Sequence, residues 1–217
     1  MSIVLYYGSG SPYAWRVQLA LEHKALPYER KVLSFSARDT RKPEFLALNP
    51  RHQVPVLTYE DFVLYESNAI VEYLDEEFAG RGAPLFPSDV RTRAIARRLI
   101  LEIDDYLNAA SEGIWEQAFG TEPEQRDAAV VTAGEEALRK EFALLTSALR
   151  GDFLVGSLSA ADYALYPLLA GVRRCERKLP GFALDALLTP ELSDWMQRIE
   201  ALPYFEATVP PHWKSGS

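Results

Sequence analysis

The sequence predicts an α/β unit spanning residues 1–79, followed by an all-helical unit. Three observations carry this. Every stretch with strand character, at 3–7, 28–33, 54–59 and 62–65, falls before residue 80. Helix-spaced apolar residues interleave with those runs in the order strand, helix, strand, then strand, strand, helix. Beyond the Gly/Pro-rich connector at 80–88 only helical patterning follows, so the expected division is 1–79, connector 80–88 and helical domain 89–217.

The first run, Ile3-Val4-Leu5-Tyr6-Tyr7, has the β-branched and aromatic composition of a buried strand. Gly8 and Gly10 mark a turn, and Pro12 suits the first position of a helix, where its missing N–H has no intrahelical partner. Ser11 is then the N-cap, and Ala14, Val17 and Leu21 follow at helical spacing. A serine hydroxyl is thereby delivered to the positive end of a helix, where an anion is favoured. Residues 28–33 complete a strand–helix–strand unit, which is normally parallel and right-handed. Arg41 to Leu48 reads as a short helix ended by Asn49-Pro50. Val54 to Tyr59 and Phe62 to Tyr65 flank Glu60-Asp61, a two-residue hairpin connection. Ser67 opens a further helix with Ile70, Tyr73, Leu74 and Phe78 on one face.

Past the connector, Ile95, Leu99, Ile103 and Leu107 recur every four residues within a helix at 89–118. A second helix, roughly 124–149, contains Leu138, Phe142 and Leu145. Ser159 with Asp162 three residues later is a capping box, and Leu158 and Tyr163 are placed as its hydrophobic staple. Asp162 is therefore read as a folding device. Thr189-Pro190-Glu191 starts another helix, and the Pro-rich stretch from Pro203 onward is expected as irregular chain.

A net charge of −8, with eight Lys/Arg against eleven Asp/Glu in residues 1–79, argues against a nucleic-acid partner. The absence of a long apolar run or signal pattern gives the expectation of a cytoplasmic protein without a membrane partner. One cysteine, Cys175, and the scattered His23, His52 and His212 supply no metal-ligand set, so no metal is expected.

Three segments, Ser-Pro-Tyr-Ala-Trp-Arg-Val at 11–17, Leu-Asn-Pro-Arg-His-Gln-Val-Pro-Val-Leu at 48–57 and Glu-Ser-Asn-Ala-Ile-Val-Glu-Tyr-Leu at 66–74, stand in order with the connector and the Ser159–Asp162 box. Together they resemble the cytosolic glutathione transferases over nearly the whole chain. The resemblance implies a thioredoxin-like domain followed by an all-α domain, with glutathione as co-substrate and usually a homodimer. It also implies that Ser11 takes the place of the serine that donates a hydrogen bond to glutathione's sulfur in the serine-type classes. Tyr7 stands where the tyrosine-type classes place their phenol, and Ser9 is a third hydroxyl within reach. A free thiol titrates near ~8.5, so a hydroxyl donor and a helix N-terminus both raise the fraction of thiolate at neutral pH. Ser11 would thus serve as a donor and not as a nucleophile, since no histidine is adjacent to activate it.

The same resemblance implies a cis proline at Pro55 and backbone pairing of Val54 with the tripeptide, as an added strand pairs. Glu66 suits the α-ammonium, and Ser67, at a helix start, suits the α-carboxylate. Gln53 is a candidate amide donor, while Lys42, His52 and Arg41 are candidates for the glycyl carboxylate. The electrophile is expected to be small and hydrophobic, in a site between the domains facing Ser11, lined from Tyr13, Tyr106, Trp115, Phe119 and Trp213. Tyr13-Ala14-Trp15 is similar to the Ser-Cys-Ser/Ala-Trp stretch of the zeta class, which isomerises maleylacetoacetate, with Tyr13 replacing that class's cysteine. With Cys175 far from the first helix, disulfide exchange by an enzyme cysteine is not expected. The main expectation is a transferase conjugating glutathione to an electrophile. The alternatives are such an isomerase, or a non-catalytic binding protein on the same fold.

Overall fold

The computed structural model describes residues 2–214, so the last three residues of the C-terminal stretch lie outside the described chain. The chain divides into two compact units, one of residues up to Phe86 together with those from Pro203 on, the other Pro87–Leu202.

The first unit starts with β1 (Ile3–Tyr7), α1 (Pro12–His23) and β2 (Tyr28–Val32). A single 3-10 turn at Asp39–Arg41 and the short α2 (Pro43–Leu46) stand where one helix was expected over 41–48. Lys42, between them, has extended backbone and breaks the helix ahead of Pro43. The hairpin β3 (Val56–Tyr59) and β4 (Phe62–Tyr65) and the helix α3 (Ser67–Glu77) follow.

The strands form one mixed sheet in the order β2-β1-β3-β4, with β1 and β2 parallel and the other two pairs antiparallel. Ile3 and Leu5 of β1 and Val56 and Leu57 of β3 are buried at the sheet's centre. β2 is an edge strand whose Glu29, Arg30, Lys31 and Val32 are exposed, which is why its sequence reads only weakly as a strand. On α1, residues Ala14 to Leu21 are all buried.

Asp75 on α3 fastens the connector to this unit. Its carboxylate accepts the backbone N–H groups of Leu85 (2.8 Å) and Phe86 (3.1 Å), and pairs with Lys24 Nζ at 2.9 Å. Leu85 is fully buried and Phe86 nearly so, so these two residues of the otherwise mostly exposed connector join the unit's core.

The second unit contains α4 (Val90–Glu102), α5 (Asn108–Trp115), α6 (Ala128–Ala148), α7 (Ala160–Arg174) and α8 (Pro190–Glu200). Asp89 caps α4 through Thr92 N–H at 2.8 Å, and Asp127 caps α6 through Ala129 N–H at 2.8 Å. Single π-helical turns at Ile103–Leu107 and Glu116–Gly120 interrupt the helix expected over 89–118. Four-residue spacing drifts by about 40° per step on a regular α-helix. Accordingly Ile95 is 45 % exposed, while Leu99, Ile103 and Leu107 stay buried next to and within the widened turn. Leu138, Phe142 and Leu145 of α6 are buried as the periodicity predicts.

Asp162 is fully buried at the start of α7. It accepts from Ser159 N and Ser159 Oγ (2.9 Å each), Leu154 N (3.0 Å) and Trp195 Nε1 (2.9 Å). Burial pushes its carboxyl upward, opposed by those donors. Cys175, in the 3-10 turn closing α7, is buried, and burial pushes its thiol up to about 12.

The C-terminal stretch is not irregular. It forms the single turns α9 (Phe205–Thr208) and α10 (Pro211–Lys214), and it packs with the α/β unit although the sequence assigned it to the helical domain. The indole of Trp15 on α1 is the anchor. It donates to Thr208 Oγ1 at 2.8 Å and meets Phe205 and Trp213 at ring separations of 6.1 and 5.2 Å.

Candidate functional site

Strand register brings three segments to one end of the sheet. Tyr6 of β1 is opposite Val56 of β3, which is opposite Tyr65 of β4. The chain leaving β1 runs through Gly8–Ser11 into α1, the chain entering β3 arrives through Gln53–Pro55, and the chain leaving β4 passes through Glu66 into α3. These are the segments the sequence singles out, and the sheet makes them neighbours.

Ser11 is the N-cap of the twelve-residue α1, with its Oγ 3.3 Å from the Ala14 N–H it accepts. Its own N–H donates to Gly8 O at 3.0 Å, closing the turn. The hydroxyl thus accepts from the helix and retains a hydrogen to donate outward. Tyr7, half-buried, ends β1, and its carbonyl is tied to Leu33 N–H at 2.8 Å. Ser9 Oγ lies 3.0 Å from His212 Nδ1. Tyr7, Ser9, Gly10 and Ser11 line one small cavity of about 10 Å³, roughly one water's worth of space.

The Val54–Pro55 peptide is cis, as the resemblance implies. Val54 is half-buried and Gln53 exposed just ahead of β3. Buried Asn49 holds this loop, donating from Nδ2 to Gln53 O at 2.9 Å and accepting Arg51 N–H at 3.0 Å. The sequence showed Asn49 only as a helix terminator ahead of Pro50; its loop-organising role has no signal in spacing or composition. His52 is exposed with φ +49. Lys42 is exposed and pairs with Asp39 at 2.7 Å, which holds the Asp39 carboxyl below its usual value and the Lys42 ammonium above its own.

Glu66 adopts φ +73, ψ +111, an uncommon backbone for a residue with a side chain, and occupies the N-cap position of α3. Ser67 is therefore the first helical residue and is 6 % exposed, with its backbone N–H among those at the helix N-terminus that lack intrahelical partners. Next to it, Asn68 accepts from the buried guanidinium of Arg16, which ties α3 to α1. The same guanidinium lies 5.2 Å from the ring centre of Tyr13.

Phe35 and His212, which the sequence did not place at the site, also border the turn, together with the expected Trp213. The exposed ring of Phe35 lies so close to Gly8 that a Cβ there would sit 2.2 Å from it. Gly10 has φ +89, and a Cβ would stand 3.3–3.4 Å from Trp213 Nε1 and the His212 ring. Of the other expected electrophile-site residues, Trp115 and Phe119 stack at 5.2 Å, and Trp115 also covers Gly171. Tyr106 is 62 % exposed and borders a separate cavity of about 380 Å³ between α4 and α6. Among the described residues no cluster of His, Cys, Asp and Glu could hold a metal, and no helix is long and apolar enough to cross a membrane.

Residues 10–77 match the family model of the glutathione S-transferase N-terminal domain, and residues 108–203 that of the C-terminal domain. The chain belongs to the glutathione S-transferase family. It is 31 % identical to glutathione S-transferase A of Pleuronectes platessa over 97 % of this chain and 92 % of that one. It is 33 % identical to the probable maleylacetoacetate isomerase 2 of Drosophila melanogaster, over 95 % of this chain and 87 % of the relative. The crystal structure of a glutathione S-transferase from the Antarctic clam Laternula elliptica superposes with a TM-score of 0.85 at 29 % identity, covering 100 % of this chain and 96 % of that one. The mixed four-stranded sheet with its helices, followed by a helical unit, is the thioredoxin-like plus all-α architecture of the glutathione S-transferases.

Proposed function

We propose that this chain is a glutathione transferase that binds glutathione at the sheet end where β1, β3 and β4 open into Ser11, Val54 and Glu66–Ser67. The observation that carries the reading is the register Tyr6–Val56–Tyr65, which places a helix N-terminus with a serine cap beside a second helix N-terminus. Glutathione matches that arrangement group by group. Its α-carboxylate suits Ser67 and the N-terminus of α3, its α-ammonium suits Glu66, and its cysteinyl amide suits the free backbone edge at Val54. Gln53 adds an amide donor, and Lys42 and His52 stand for the glycyl carboxylate.

With the tripeptide so placed, its sulfur meets the N-terminus of α1. Ionisation releases the thiol proton to solvent, and the thiolate is held by the Ser11 hydroxyl and the helix dipole. The sulfur then forms a bond to the electrophilic carbon of a small hydrophobic substrate, and the displaced group leaves with the bonding pair. Ser11 carries the donor role ahead of Tyr7 and Ser9, because its position is fixed by the helix it caps. Tyr13 is the electrophile-side residue nearest to Ser11 in sequence, and Trp213, beside Gly10, adds aromatic surface. A homodimer of cytoplasmic location completes the reading, as the family resemblance implies.

The 33 % identity to a probable maleylacetoacetate isomerase supports a second reading, in which the thiolate adds to a double bond and is expelled again after rotation. Tyr13 in place of the cysteine of that class weighs against it. Retention on immobilised glutathione together with conjugation of a generic aryl halide tests the main reading. Failure of both overturns it in favour of a non-catalytic binding protein.

A further inference from the structure

We propose that His212, held by Trp213, is a positioning residue that turns the Ser9 hydroxyl into a second hydrogen-bond donor for an anion at the N-terminus of α1. An indole N–H can only donate, and Trp213 Nε1 lies 2.9 Å from His212 Nε2. Nε2 must therefore accept, which leaves the hydrogen of the neutral imidazole on Nδ1. Nδ1 is 3.0 Å from Ser9 Oγ, so it is the ring that donates and the serine oxygen that accepts. The one hydroxyl hydrogen of Ser9 then points away from His212. It is available to an acceptor on the turn that Ser9 shares with Ser11, and accepting a hydrogen bond makes a hydroxyl a better donor.

The arrangement is built into the chain on both sides. Gly10 lacks the Cβ that would stand 3.3–3.4 Å from Trp213 Nε1 and the His212 ring, and its φ of +89 turns the backbone between the two serines. On the other side, Trp213 meets Trp15 edge-on at 5.2 Å, 87° between planes, and Thr208 accepts from the same Trp15 at 2.8 Å. Trp15 is 2 % exposed on α1, so the helix whose N-terminus faces the anion also carries the residue that packs against Trp213, which in turn holds His212. This inference rests on the reading that glutathione's sulfur is the anion at that turn; it adds a role for C-terminal residues that the sequence placed only in the electrophile site.

The test uses the full-length protein and glutathione itself. The apparent pKa of the bound thiol is read from thiolate absorbance, alongside glutathione affinity and thermal stability. Ser9→Ala and His212→Ala are each expected to raise that pKa by about 0.5–1 unit, a threefold to tenfold loss of thiolate at a pH well below it. Glutathione affinity should change less than about twofold, and Ser9→Ala with His212→Ala together should shift no further than either alone. His212→Asn, whose side-chain amide can donate from near the Nδ1 position, should restore most of the shift; a role limited to packing the C-terminal turns would not be rescued in this way. Wild-type protein that binds glutathione while Ser9→Ala and His212→Ala leave the thiol pKa unmoved overturns this inference alone. So does failure of His212→Asn to recover any of the shift. Wild-type protein that does not bind glutathione overturns the functional reading and this inference with it.

Discussion

Lys24 and Asp75 form an ion pair of 2.9 Å in which the Lys24 side chain is fully buried and that of Asp75 is 14 % exposed. The pair joins α1 to α3, and the same carboxylate receives the N–H groups of Leu85 and Phe86. Removing one member of such a pair leaves a buried charge uncompensated, which typically costs about 3–5 kcal/mol. Asp75→Ala should therefore lower the unfolding free energy by about that amount in denaturant titration. The double change Lys24→Met with Asp75→Leu should recover a large part of the loss, because no charge is then left without its partner. Equal loss in the single and double variants would mean that the backbone contacts of Asp75, not its pairing with Lys24, carry the stability.

Asp162 stands in the second unit as Asp75 does in the first, one carboxylate satisfying several buried donors. Asp162→Ala leaves Leu154 N–H, Ser159 N–H and the Trp195 indole without their acceptor, each a loss of order 1–3 kcal/mol. The expected outcome is a protein recovered mainly as insoluble material, with Asp162→Asn milder because one carbonyl oxygen remains. An Asp162→Ala variant with an unchanged melting temperature would contradict the capping role.

His23 gives a pH dependence with a defined sign. Its Nε2 lies 3.1 Å from Ala83 O and its Nδ1 3.0 Å from the Tyr204 hydroxyl. Burial holds its pKa below 6.5, with Lys24 adding to the effect and the Ala83 carbonyl opposing it. As pH falls through 6.5 the unfolded chain takes up a proton before the folded one, so this group's contribution to stability is complete above that pH and is lost below it. An NMR titration should place the His23 midpoint below 6.5, and a His23→Gln variant should lose less stability than the wild type between neutral and mildly acidic pH. A midpoint at or above the ordinary imidazole value would reverse the prediction.

Much of the fold was legible in the sequence because it depends on local pattern. The buried strand at 3–7, the Pro12 helix start, the Glu60-Asp61 hairpin and the Ser159–Asp162 box each announce themselves within a few residues. What was missed depends on partners distant in sequence. The exposed edge strand β2 reads weakly because four of its five side chains face solvent and give no apolar alternation. The packing of residues from Pro203 on is decided by Trp15, nearly two hundred residues away. The π-helical turns, the unusual backbone of Glu66 and the brace at Asn49 likewise follow from tertiary context. In the candidate site, the resemblance to the glutathione transferases pointed to Ser11, Gln53, Val54, Glu66 and Ser67. It was blind to Phe35 over Gly8 and to the His212–Ser9 bond, which only folding creates.

The central claim is that the Ser11 hydroxyl and the N-terminus of α1 hold a bound thiolate. The most direct measurement is the pKa of the glutathione thiol bound to wild-type protein and to Ser11→Ala. A hydrogen bond to a charged group is worth about 1.5–3 kcal/mol. At about 1.36 kcal/mol per unit, the variant should raise the thiol pKa by about 1–2 units and lower turnover at neutral pH about tenfold or more, with glutathione affinity nearly unchanged. A thiol that titrates at the same pH in both proteins would contradict the account and make Ser11 a helix cap alone.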